Sequence, residues 1–346
     1  MVRVGAIGLG GLAYLELDVL AGFPDVEIVA GADVAPEARE LFEAEFGVSA
    51  YDDYEAMLSA NADDLDAALI TTPHALHFEH AMACLERGLD VYVEKPMVTD
   101  VGDAVELVET ADEASAVLQV GYQRHFHPGF QELKRLIDDG RLGDLHTVDC
   151  YLAQEWIRRH QGTWRVEPRF SGGGQLYDSG SHLLDVLLWM TSAEPAEVAA
   201  RIEFNEPRLD VNSALAITLD CEPRPVIASV GVSGDGIAVE PSEGYFIWGT
   251  EGRATYAEDE ITLARKGGVV YTAHIESETD FHTLTRKKLA NFVASVRGEE
   301  VPAVPGEVGL AVTALTEAAY RAAETGKTVD VQAIEADPPR AADESN

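Results

Sequence analysis

Residues 2–121 alternate short β-branched runs with stretches of helical periodicity, and that alternation narrows the available folds more than any other feature of the chain. A strand, a crossover helix and a second strand in the same sense bury both faces of a parallel sheet, so the pattern predicts a βαβ series. Strands are expected at 2–7, 27–32, 66–71, 90–93 and 117–120, with helices over 12–21, 36–46, 77–87 and 101–114. Pro36 suits the first turn of its helix, and Gly88 a helix stop.

Beyond residue 122 the texture changes. A helix over 129–139 leads into strands at 145–154, 197–204, 213–220, 225–233, 245–248, 254–257, 261–264 and 269–274, with helices at 181–190, 281–296 and 308–324. So many strands with so few helices predict one large, mostly antiparallel, open-faced sheet covered by helices. At 346 residues the chain has room for two domains. The expected organisation is an α/β Rossmann domain over 1–121, an α+β domain for substrate binding and oligomerisation over 122–335, and a disordered tail over 336–346. Runs such as Ala214-Leu215-Ala216-Ile217 put apolar residues on both sides of a strand. A second subunit covering the open face, in a homodimer or homotetramer, is therefore expected.

Sixty-one Asp and Glu against 25 Lys and Arg give a formal charge of −36. Such a surface repels nucleic acid and anionic membranes. The excess runs along the whole chain, as in proteins of halophiles, whose carboxylate shells need salt to screen them. Cys84, Cys150 and Cys221 lie far apart with no zinc or dithiol spacing, which suits a reducing cytoplasm. Glu16 and Asp18 interrupt the apolar start, so no secretory leader is expected, and no apolar run reaches the length of a membrane span.

Gly8-Leu9-Gly10-Gly11-Leu12-Ala13 sits between the first strand and the first helix. Gly8 would permit the tight turn, Gly10 and Gly11 a close approach of the backbone to a pyrophosphate, and Ala13 close helix packing, while the helix start at Leu12 offers free N–H groups. Asp33 follows the second strand, 20 residues beyond Ala13, where a carboxylate would take the adenosine ribose hydroxyls and favour NAD. Arg39 nearby leaves NADP open.

Thr71-Thr72-Pro73-His74-Ala75-Leu76-His77 and Val93-Glu94-Lys95-Pro96 each follow a strand, at the carboxyl edge where open α/β sheets bind ligands. Thr72, Pro73, His77, Glu94 and Lys95 are therefore candidates for cofactor contact. With Gly172-Gly173-Gly174 and Asp178-Ser179-Gly180-Ser181-His182, these motifs resemble the Gfo/Idh/MocA family of oxidoreductases. The resemblance extends to Gly249-Thr250-Glu251-Gly252 and Thr325-Gly326-Lys327, covering nearly the whole chain. It implies hydride transfer between a nicotinamide and a sugar, cyclitol or related polyhydroxylated compound, with Lys95, Asp178 and His182 as the catalytic group. In that reading His182 takes the hydroxyl proton, Lys95 stabilises charge on the same oxygen, and Asp178 orients the imidazole or the sugar. Arg124 and His125 lie in a turn that the resemblance puts beside the substrate, and Trp156 and Trp164 are candidate lining residues. His182 and Asp185 lack further ligands at suitable spacing, so no metal is assigned. Two alternatives remain: an NAD-dependent glycosidase, and a non-catalytic NAD-sensing regulator.

Overall fold

The computed structural model describes residues 1–237, 239–275 and 279–336. Residues 337–346, nearly all of the tail expected to be disordered, lie outside the described residues. The chain divides into two compact units, the first made of Met1–Val98, Asp103–Gln123 and Thr279–Leu310.

In chain order the first unit begins with β1 (Val2–Ile7), α1 (Gly11–Ala21), β2 (Val26–Ala32), α2 (Pro36–Phe46), β3 (Ala50–Tyr51), α3 (Tyr54–Ala60), β4 (Ala67–Ile70), α4 (His77–Leu85) and β5 (Asp90–Val93). Then come α5 (Val101–Ala114) and β6 (Leu118–Val120). The six strands form a parallel sheet in the order β3-β2-β1-β4-β5-β6. Strand order reverses between β1 and β4, which makes their carboxyl ends the crevice where such sheets take a ligand. The strand expected at 66–71 is thus the fourth. Neither β3 nor α3 is among the elements expected from sequence, because a two-residue strand has no periodicity and exists through its pairing with Gly31 and Ala32.

The second unit holds α6 (Pro128–Asp138), β7 (Leu145–Ala153), the short helices α7 (Trp156–His160) and α8 (Pro168–Ser171), α9 (Ser181–Thr191), β8 (Glu194–Glu206), β9 (Leu209–Asp220) and β10 (Val226–Ser233). It continues through β11 (Glu243–Gly249), β12 (Gly252–Ala257), β13 (Glu260–Arg265) and β14 (Gly268–His274). The order in its nine-stranded sheet, which also takes in β15 (Val329–Asp330), is β14-β13-β12-β11-β7-β10-β9-β8-β15, parallel at β7 and β10 and antiparallel elsewhere. The remaining helices are α10 (Phe281–Val296) and α11 (Gly306–Thr325), followed by β15 (Val329–Asp330) and α12 (Val331–Ala336). Burial alternates along β9 and β10: Leu215, Ile217, Val226 and Ala228 are covered, while Ala214, Ala216 and Ile227 face outward.

One expectation is corrected. The sequence pattern places the helix at 281–296 over the C-terminal sheet, yet α10 belongs to the first unit. Leu289, Phe292 and Val293 close the core formed by Val4, Leu17, Leu20, Leu69 and Tyr92. Each such side chain contributes roughly 1.5–3 kcal/mol when removed from water, and periodicity identifies an apolar helix face without saying which core it completes.

Candidate active site

The glycine turn after β1 carries two kinds of glycine. Gly8 has φ +88°, and a Cβ there would stand 2.8 Å from Thr72 Cγ2, so both conformation and space demand glycine. A Cβ on Gly10 or Gly11 would meet nothing within 4 Å. Gly10 caps α1 without a side-chain hydrogen bond, so the first turn presents backbone N–H groups beside open space. That cradle fits a pyrophosphate.

Asp33 is committed to this turn. Its Oδ2 accepts from Leu9 N at 2.7 Å and its Oδ1 from Ala35 N at 2.8 Å, while its carbonyl accepts from Arg39 Nη1 at 2.7 Å. Asp33 therefore ties the end of β2 to the glycine turn. Thr71 Oγ1 donates to Gly8 O at 2.8 Å and holds the loop after β4 to the same place.

His77 joins the loops after β4 and β5. Its Nε2 lies 2.8 Å from Thr72 O and its Nδ1 2.9 Å from Pro96 O. Burial pushes its pKa below the usual value despite both carbonyls. In the neutral ring one of these contacts is a donated hydrogen bond. Pro73 caps the turn His74–Leu76 that precedes α4. Glu94 is buried at the end of β5, and half-buried Lys95 follows it on the same edge. The first unit thus gathers Gly8, Gly10, Gly11, Leu12, Asp33, Thr72, Pro73, His77, Glu94 and Lys95 at the carboxyl side of its sheet.

In the second unit Asp178 lies in a π-helical turn, Leu176–Gly180, directly ahead of α9, which carries His182. The pair therefore does not share one regular α-helix. Asp178 Oδ2 accepts from Trp156 Nε1 at 2.8 Å, with Arg165 Nε at 3.5 Å. The turn is set from behind: Asp210 accepts from Gly174 N and Leu176 N, each at 2.7 Å, and from the Tyr320 hydroxyl. A Cβ on Gly174 would overlap the Asp210 carbonyl, which is what the glycine run is for.

The four residues expected to line a substrate are held by the protein itself. Arg124 is paired with Glu243, which also accepts from the Tyr245 hydroxyl at 2.9 Å. His125 Nε2 lies 2.8 Å from Asp185 Oδ1, and its ring stacks on Trp189 at 4.2 Å. Trp156 is 1% exposed and serves as the donor to Asp178. Trp164 is half-buried, with the Arg165 guanidinium 4.4 Å from its ring centre. Sequence reasoning missed Arg165, Asp210 and Tyr320, whose roles depend on contacts between distant segments, and the only local sign of this arrangement was the glycine run. Among the described residues no group of His, Cys, Asp and Glu side chains is arranged to hold a metal ion, and no helix is long and apolar enough to cross a membrane.

Comparison with known proteins decides the family. Residues 2–122 match the oxidoreductase family with an NAD-binding Rossmann fold, and residues 130–255 match the Gfo/Idh/MocA C-terminal domain. The chain belongs to the Gfo/Idh/MocA family. It is an NAD(P)-dependent oxidoreductase acting on CH–OH groups. Inositol 2-dehydrogenase 1 of Saccharopolyspora erythraea is 28% identical over 96% of this chain and 96% of its own length. The NAD(+)-dependent scyllo-inositol 2-dehydrogenase of Bacillus subtilis is 26% identical over 90% and 93%. Among solved structures, levoglucosan dehydrogenase in complex with NADH superposes with a TM-score of 0.85 at 19% identity, covering 95% of this chain and 99% of that one.

Proposed function

We propose that this oxidoreductase interconverts a secondary alcohol and a ketone on a cyclitol or sugar, with NAD as the preferred cofactor and Lys95, Asp178 and His182 as its catalytic group. The carrying observation is the place of Lys95: it follows β5 on the sheet edge that also bears the open glycine cradle, where a nicotinamide cofactor would supply the hydride acceptor. The full-length relatives named as inositol dehydrogenases support a polyhydroxylated substrate. An imidazole has the right ordinary basicity to take the hydroxyl proton, which is the role of His182. The Lys95 ammonium offsets negative charge on the oxygen, and Asp178, held by Trp156, orients the base or a substrate hydroxyl.

NAD preference rests on Asp33, whose carboxylate stands at the end of β2 next to the glycine turn. A 2′-phosphate there would face a carboxylate, although Arg39 is adjacent. In a screen of cyclitols and sugars with NAD and NADP, steady NADH release from at least one cyclitol is expected, with kcat/KM roughly tenfold or more in favour of NAD. Turnover confined to non-hydroxylated substrates, or a higher kcat/KM with NADP, defeats the respective part of this reading.

The same reading places the enzyme in a reducing cytoplasm, as a salt-adapted homo-oligomer. The buried thiol of Cys84, pushed up to about 12 by desolvation, is inert there. Outward-facing Ile227, Ala214 and Ala216 on the nine-stranded sheet are the surface a second copy would cover. The formal charge of −36 opposes the compact state by self-repulsion, which salt screens, the Debye length falling to about 3 Å at 1 M. In a KCl titration the thermal midpoint is expected to rise and light scattering to report a dimer or tetramer. A salt-independent midpoint removes the halophilic assignment, and a 37.3 kDa particle removes the oligomer.

A further inference from the structure

Three ionisable side chains meet in the interior of the first unit. Lys288 on α10, Glu16 on α1 and Glu94 at the end of β5 are 1%, 0% and 6% exposed. Lys288 Nζ lies 2.7 Å from Glu16 Oε1 and also grips Glu94 Oε1. Glu94 Oε1 accepts from the Tyr92 hydroxyl at 2.9 Å, and Glu94 Oε2 from the backbone N–H of Lys95 at 3.3 Å. Gly121 leaves no room on the far side, since a Cβ there would collide with the Glu94 carboxyl. Lys288 is itself anchored, Gln119 Nε2 donating to its carbonyl at 3.0 Å.

The arrangement costs a great deal to bury and is worth nothing to the core as such, because apolar residues would pack there at least as well. One cation between two carboxylates is balanced when one carboxylate keeps its proton. Against desolvation, the Lys288 ammonium and a hydrogen bond from Glu16 hold Glu94 as the anion, down to about 2. Desolvation and the neighbouring Glu94 push Glu16 up to about 8, and Glu16 Oε2 accepts no hydrogen bond that would stabilise the anion. The groups facing Glu16 are Lys288 from α10 and Tyr92 and Glu94 from β5, while Lys95 and His77 face Glu94.

We infer that Lys288 is a positioning residue for the Lys95 peptide: from α10 it clamps the carboxylate that receives the Lys95 N–H, and through Glu16 it joins that clamp to the helix of the glycine cradle. The inference rests on the catalytic reading of Lys95 only for its effect on turnover. Its effect on the peptide is independent of that reading.

The test is hydrogen exchange of the segment 91–98 in the full-length, cofactor-free protein. Lys288→Met is expected to speed exchange there by roughly tenfold or more, leaving β9 protected, and Lys288→Arg is expected to restore most of the protection. Unchanged exchange in a folded Lys288→Met protein overturns the inference. If Lys288→Met does not fold, Glu16→Gln decides. After correction for intrinsic rates, the wild-type segment should loosen progressively as pH rises from the ordinary carboxyl range to about 8, where the closed form still keeps the Glu16 proton and the opened form does not, and level off above that, whereas Glu16→Gln should stay flat. Identical profiles overturn the inference. Turnover separates the two readings: faster exchange with a reduced kcat and unchanged NADH affinity supports both, and faster exchange with full kcat leaves the clamp standing but removes Lys95 from catalysis.

Discussion

Lys95→Ala and His182→Ala are each expected to lower kcat by roughly 10²- to 10⁴-fold while NADH binds with near-normal affinity, the range typical of losing a positioned acid or base. The glycine cradle proposed for the pyrophosphate is built without either side chain. It is made by Gly8, Gly10 and the start of α1, braced by Asp33 and Thr71. The Lys95 link to Glu94 runs through its backbone N–H, which alanine retains. His182 sits on α9, whose flanking residues Leu183, Leu184, Val186 and Leu187 are fully buried and hold the helix without the imidazole. Fluorescence titration with NADH and single-turnover kinetics check the prediction, and near-normal turnover in either variant refutes the assigned roles.

The same small change in two glycine motifs should have opposite consequences. Gly174→Ala places a methyl group on the backbone of Asp210, which cannot yield without giving up the bonds it makes to Gly174 and Leu176. A loss of roughly 3 kcal/mol is expected, seen as a thermal midpoint lower by on the order of 6–12 °C. Gly10→Ala meets open space, and its φ of −77° suits any residue, so the cost to stability should be no more than about 0.5 kcal/mol. There the methyl group occupies the space a pyrophosphate would use, and NADH affinity should fall roughly tenfold or more. A Gly10→Ala protein that binds NADH normally would show that the cradle is not the phosphate site.

Where one residue's neighbours in sequence also decide its surroundings, the chain could be read directly. The βαβ series, the glycine turn after β1 and the strands of the second sheet follow from periods of two and 3.6 residues and from glycine's freedom at Gly8. The family resemblance carried by Glu94-Lys95-Pro96 and the Asp178 to His182 motif holds for the same reason, since motifs are local. Tertiary structure decided the rest. Trp156, a candidate for lining the substrate, is the buried donor to Asp178, and Arg124, in a turn that the resemblance puts beside the substrate, is paired with Glu243. Helix α10 was assigned to the second sheet and completes the first core. Glu16, which interrupts the apolar start of the chain, is wholly buried against Lys288, 272 positions away. An ammonium or a carboxylate enters the interior only where its counter-charge is already waiting, and that condition is set by which distant segments the core draws together, which no pattern along the chain records.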